Sequence, residues 1–174
     1  MNDRFAHQLR LDPIRDGQRL DAVADAAERS GIAKRLALLS LDRLEAHVCL
    51  SRTGDTVRAE GRIVAALDQS CVVTGDAVAA HVDEPFAILF VPEPSGGAEA
   101  EEEIELGEAD CDTVFYDGAL IDLGTAIADT LALSLDPYPR SAGADAALRE
   151  AGVLTQEQAS PFAVLAKLKK TDEA

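Results

Sequence analysis

Three aspartates, Asp122, Asp129 and Asp136, recur every seven residues in a segment of helical periodicity, which places them near one helix face. Carboxylates so arranged offer hard oxygen ligands to a divalent ion, and with such an ion they would form a hydrolase or nuclease centre. A solvated helix face gives the same spacing, and no partner base, acid or further ligand accompanies the three. The chain has no Gly-x-Ser-x-Gly elbow, no His-Glu-x-x-His pair and no glycine-rich phosphate loop. His7, His47 and His81 each lie in strand-like stretches and read as buried or half-exposed sheet residues, because no Cys-x-x-Cys or His-x-His pair supports a metal role. Cys49, Cys71 and Cys111 are odd in number and form no close pair, so they are expected to be reduced thiols. These residues designate no catalytic, cofactor-binding or metal-binding group, and the chain reads as a non-enzyme that carries no cofactor.

The elements that would position such groups can be read from periodicity. Phe5, His7, Leu9 and Leu11 alternate with polar or small residues as a half-buried strand ending at Asp12-Pro13. The alanine-rich run from Asp21 predicts a short helix with Asp21 as N-cap and Gly31 as its stop. Leu39–Leu50 and Val57–Leu67 alternate around a turn containing Gly54-Asp55, a hairpin signal. Val78–Val91 adds a strand with Phe86, Ile88 and Phe90 on one face, and Thr113–Tyr116 adds a shorter one before the turn at Asp117-Gly118. Ile121, Leu123, Ile127, Leu131 and Leu135 then recur at helical spacing, and Pro137 and Pro139 end that helix and push Asp136 and Tyr138 towards extended backbone. Ala144–Ala151 is expected to be helical and ended by Gly152. A last helix should start at Ser160-Pro161, with Phe162, Leu165 and Leu168 on one stripe and Lys167, Lys169 and Lys170 at its C-terminal end, where cations suit the dipole. The expected fold is α+β: a curved, barrel-like antiparallel sheet flanked by helices.

Charge divides the chain. Residues 1–92 carry eleven Lys/Arg against fourteen Asp/Glu, a net of −3, whereas residues 93–174 carry five against eighteen, a net of −13. Eight acids fall between Glu99 and Asp112 with no aromatic among them, too little apolar surface to offset ordering, so residues 93–112 are expected to form an acidic mobile loop within a single domain spanning 1–170. Residues 171–174 should be a disordered tail. An acidic surface repels phosphate backbones, so direct nucleic-acid binding is not expected, and a basic protein partner fits the sign. The RNA-binding alternative would use Arg4, Arg10, Arg15 and Arg19 with Phe5. The chain has no apolar run long enough for a membrane span and a polar N-terminus, which together point to a cytoplasmic protein, expected as a monomer.

Four blocks carry a family resemblance: Cys71-Val72-Val73-Thr74, Ile121-Asp122-Leu123, Asp136-Pro137-Tyr138-Pro139-Arg140, and Ser160-Pro161-Phe162 through Leu165 and Leu168. Together they resemble the YceD family of bacterial proteins linked to accumulation of large-subunit ribosomal RNA, and the second pair looks closest to its alphaproteobacterial branch. The resemblance implies a non-enzymatic part in ribosome assembly, with a ribosomal protein or assembly factor as partner and no active site. Many relatives have a second cysteine after the position of Cys71 and others after the position of Arg140; this chain has neither, so the resemblance implies no zinc or redox site here. The surface expected to meet the partner comprises Asp136, Tyr138, Arg140, Phe162, Lys167, Lys169 and Lys170.

Overall fold

The computed structural model describes residues 7–93 and 112–153. Arg4, Phe5, Cys111, nearly all of the acidic segment, the Ser160–Lys170 block and the 171–174 tail lie outside the described residues. Contacts divide the chain into two compact units, the first comprising Met1–Gln69 with Ala79–Pro137 and the second Ser70–Val78 with Tyr138–Ala174.

In the first unit, β1 (Gln8–Arg10) is followed by β2 (Gln18–Val23), α1 (Ala26–Arg35), β3 (Ser40–Thr53), β4 (Thr56–Ser70), β5 (Ala77–Pro92), β6 (Asp112–Tyr116), β7 (Leu120–Asp122) and α2 (Leu123–Ser134), with the last residue of β4 and the first two of β5 assigned to the second unit. The long hairpin predicted from alternation is present: β3 and β4 pair antiparallel through thirteen registered residue pairs, closing at Thr53↔Thr56. Gly54 takes φ +62 at the first turn position, the backbone that a two-residue hairpin of this hand requires. Inward residues run Leu44, Ala46, Val48 and Leu50 on β3, facing Val57, Ala59, Ile63, Ala65 and Leu67 on β4. The phase change between Leu41 and Leu44, visible as a skipped beat in the sequence, is a bulge in the register between Leu41 and Arg43. Gly61 sits where β3 comes closest, and a Cβ there would lie 2.0 Å from the His47 carbonyl oxygen.

Three expectations need correcting. The segment from Asp21 continues strand, not helix: Leu20 and Ala22 turn inward, Arg19, Asp21 and Val23 outward, and α1 begins only at Ala26. Its N-cap is Asp25, whose carboxylate accepts from the Glu28 amide at 2.8 Å while the Glu28 carboxylate accepts from the Asp25 amide at 2.8 Å, a reciprocal capping box that outweighs the alanine-rich start. Gly31 lies inside α1, and the left-handed residue that follows the helix is Ala37, at φ 54. The predicted helix start at Ile121 likewise moves two residues on, because Ile121 pairs with Leu9 in a two-stranded β1–β7 sheet and Asp122 caps α2.

The sheet is also not wholly antiparallel. Its five strands run β2-β3-β4-β5-β6 and end in two edges, so it is open rather than barrel-like, and β6 runs parallel to β5. A parallel neighbour demands a crossover of a dozen or more residues, and the nineteen residues between Pro92 and Asp112 provide that length. One sheet face and the apolar sides of α1 and α2 share a single core, in which Phe90, Leu50, Ile63, Ile121, Leu123, Ile127 and Leu131 are fully buried. No described helix is long and apolar enough to cross a membrane.

The described part of the second unit comprises the turn after β4, the chain from Tyr138 and α3 (Ala144–Glu150), which ends with Gly152 at φ +75 as the sequence predicts.

Candidate functional site

The helix α2 does not assemble a carboxylate centre. Asp122 is consumed as its N-cap, accepting from the Thr125 amide at 2.9 Å, and Asp129 pairs with Arg35 of α1 at 3.1 Å. Asp136 lies beyond the C-terminal end, where its backbone carbonyl accepts from the buried Gln69 amide at 2.8 Å. At 1.5 Å of rise per residue the first and last of these carboxylates are separated by roughly 20 Å, far too much for one ion. Of the three, only Asp129 lies on the helix itself, so the seven-residue spacing marks neither a carboxylate centre nor a shared helix face.

Two of the histidines also differ from expectation. His47 and His81 are exposed, neither buried nor half-exposed, whereas His7 is half-buried. His47 Nδ1 lies 2.7 Å from Asp21 Oδ1 across the β2–β3 pair, and the exposed thiol of Cys49 is two residues further along the same strand face. Arg62, registered opposite His47, binds Asp83 of β5, which holds the Asp83 carboxyl below its usual range through that hydrogen bond. Two pairs of opposite charge, Asp21 with His47 and Arg62 with Asp83, thus lie on the outer face of the sheet. Among the described residues no three His, Cys, Asp or Glu side chains converge as a metal-ligand set.

The arginines proposed for RNA are dispersed. Arg10 lies on the two-stranded sheet, Arg15 in the following loop and Arg19 on β2, at one edge of the five-stranded sheet. Phe115, the exposed aromatic of the same unit, lies on the opposite sheet edge, so the described residues of that unit form no arginine stripe with an adjoining stacking platform.

Polar side chains do converge inside the second unit, around Cys71. The chain leaves β4 and folds into a tight turn, with the Cys71 amide donating to the Asp76 carbonyl at 2.8 Å and the Gly75 amide to the Cys71 carbonyl at 2.9 Å. Gly75 adopts φ +77, which a side chain would oppose. The Thr74 hydroxyl binds the Asp76 carboxylate at 2.6 Å. Against this turn lies the chain after Tyr138: the Val72 amide donates to the Pro139 carbonyl at 2.9 Å, the Ser141 amide to Cys71 Sγ at 3.3 Å, and the Ser141 hydroxyl lies 3.2 Å from that of Thr74. The Thr74 amide also approaches Sγ at 3.5 Å.

This environment changes the thiol. The Ser141 hydroxyl and then its amide, followed by Thr74, favour the sulfur's anion and bring its pKa from the ordinary thiol range down to about 6, although burial works in the opposite direction. Cys71 is a free thiol, as expected, and in addition the acceptor at the centre of this hydrogen-bonded node, which the sequence reading did not foresee. The signal available in the sequence was the Cys-x-x-Thr-Gly-Asp turn, but nothing local pointed to Ser141, seventy residues away.

The node fixes how two of the expected surface residues are displayed. Pro139 is buried and its carbonyl engaged, while Tyr138 is 74 % exposed. The Arg140 guanidinium pairs with Asp145 of α3 at 3.3 Å, with both side chains largely in solvent. Phe162, Lys167, Lys169 and Lys170 lie outside the described residues, and Asp136 belongs to the first unit.

No curated protein and no solved structure matches the chain. A family model described as Large ribosomal RNA subunit accumulation protein YceD matches residues 59–169, which include the Cys71 turn, α2, the proline exit and α3. With that match covering more than half of its length, the chain belongs to the YceD family.

Proposed function

We propose that this chain is a non-enzymatic cytoplasmic factor that supports accumulation of large-subunit ribosomal RNA by binding a basic ribosomal protein or assembly factor. Family membership supplies the theme, and the Asp136–Arg140 and Ser160–Phe162 blocks favour its alphaproteobacterial-type branch. The observation that carries the mode of action is Tyr138: a largely exposed aromatic, held between two prolines in a segment whose following residues are pinned to the Cys71 turn. Such a side chain loses little backbone freedom on binding, and tyrosine and arginine anchors commonly carry about 2 kcal/mol or more of an interface. Arg140 beside it adds a planar donor fork. Phe162, Lys167, Lys169 and Lys170 complete the proposed surface, and Asp136 precedes it in the chain. The net charge of −16 selects a cationic partner and disfavours RNA itself.

Replacing Tyr138 and Arg140 together with alanine in cells should lower the mature large subunit on sucrose gradients while the purified variant keeps its cooperative melt. Normal subunit profiles with a folded double variant would refute this surface.

A further inference from the structure

We propose that the outer edge of β6 is a second docking site, which takes an extended, lysine- or arginine-bearing segment of a protein partner as an added strand. The proposal rests on the protein-contact reading above and names the kind of segment bound.

The free edge can be assigned atom by atom. Tyr116 is registered with Pro92, and its carbonyl accepts from the Glu93 amide at 2.9 Å, so the main-chain groups of Tyr116 face β5. Alternation along a strand then directs Asp112 and Val114 to β5 as well, and turns the N–H and C=O of Thr113 and Phe115 away from it. Among the described residues β6 is the last strand of its sheet and pairs with β5 alone. These groups find no partner among the described residues, which is the edge that strand addition uses. Natural edges are commonly blunted with lysine, proline or a bulge, and β6, Asp-Thr-Val-Phe-Tyr, has none of these.

Side chains narrow the occupant. Phe115 stands 60 % exposed on this strand, an apolar anchor beside the open backbone. Asp112 begins the strand, Asp117 follows its end, and Glu93 is hydrogen-bonded to its last residue; none of the three carboxylates has an ion-pair partner among the described residues. Arg52, whose neighbour Asp55 accepts from the Tyr116 hydroxyl, is already committed to the Leu11 and Gly54 carbonyls at 2.6 and 2.7 Å. An edge flanked by unpaired anions disfavours a second copy of the same acidic edge and favours a cationic strand.

The test uses the full-length protein with two synthetic hexapeptides, one alternating lysine with valine and one alternating glutamate with valine. Isothermal titration should show the lysine peptide binding at least about tenfold more tightly, with affinity falling as salt rises. Amide hydrogen exchange should slow at Thr113 and Phe115 on binding. Thr113→Pro removes an edge N–H without touching the β5 ladder and should abolish binding while the melt persists; Phe115→Ala, which leaves the backbone intact, should weaken binding severalfold even if the proline variant misfolds. Equal binding of both peptides, no binding of either, binding indifferent to both substitutions, or dimerisation through β6 in sedimentation would each overturn the proposal. Failure here with the Tyr138 and Arg140 phenotype intact removes the edge and leaves the functional reading standing.

Discussion

Cys71 should titrate as an acid far stronger than an ordinary cysteine, and the structure says which neighbours are responsible. With a pKa of about 6, close to 90 % of this thiol would be thiolate at about pH 7, against roughly 3 % for an unperturbed cysteine. The anion would persist although the residue is only 3 % exposed, because it accepts two backbone amides and has the Ser141 hydroxyl beside it. In a Cys49→Ser, Cys111→Ser background, ultraviolet thiolate absorbance reports Cys71 alone. Its midpoint should fall near 6, and Ser141→Ala, which removes the largest stabilising contact and keeps the amide, should move it upward; Thr74→Val should move it less. The stability linkage follows in sign. A folded-state pKa below the unfolded value means that the thiolate contributes fully above the ordinary thiol range and progressively less as pH falls, until nothing is left below about 6. Wild-type protein should therefore lose more thermal stability than Cys71→Ala between pH about 8 and about 6. A midpoint in the ordinary thiol range, or one unmoved by Ser141→Ala, would refute the hydrogen-bond account.

Three further outcomes test the fold. Phe90 is fully buried, so Phe90→Ala should cost about 3–5 kcal/mol in urea unfolding, as a core cavity would. Asp25→Ala removes the anchor of the α1 capping box and should cost about 1 kcal/mol by the same measurement. Asp129→Asn breaks only a solvent-exposed pair with Arg35 and should change stability by less than about 1 kcal/mol, with no effect on large-subunit profiles in cells; a loss of subunits in that variant would reopen the carboxylate-centre alternative.

Much of the sheet was legible because each strand solves its burial problem locally. Alternation along Leu44–Leu50 and Val57–Leu67 states which residues face inward, and Gly54 states where the hairpin turns. Residues 18–23 failed that reading because only Leu20 and Ala22 face inward on so short a strand, and the alanines that follow Val23 gave a competing helix signal. The parallel entry of β6 depends on pairing across a long connection, which no local pattern encodes. At the candidate site, Tyr138 between its prolines was readable, whereas the Cys71 node was not. Its bonds join turns seventy residues apart, and a lone cysteine carries no mark of the amides that will surround it.

That node matters to function because it joins the described segments of the second unit. Among the described residues, Cys71, Pro139 and Ala144 are buried outside the hydrophobic core, and all three belong to that unit. Its described segments are thus joined mainly by hydrogen bonds: Val72 to Pro139, Ser141 to Cys71, and the Thr74, Asp76 and Ser141 side chains among themselves. Segments with little apolar burial need some other staple, and in the described ones the Cys71 sulfur with its amide donors takes that place. The display of Tyr138 then depends on Cys71 even though the two need share no partner at the surface. Cys71→Ala deletes the acceptor and leaves the Ser141 and Thr74 amides without it. Native-state hydrogen exchange should therefore accelerate at Val72, Thr74 and Ser141, while amides beside Ile63 and Phe90 in the core exchange as before. Large-subunit profiles in cells should deteriorate in parallel, because a Tyr138 anchor that is no longer held in place pays its ordering cost on binding. Unchanged exchange at those three amides would show that the staple lies elsewhere; faster exchange with normal subunit profiles would show that Tyr138 works without a fixed backbone, and would remove pre-organisation from the proposed mechanism.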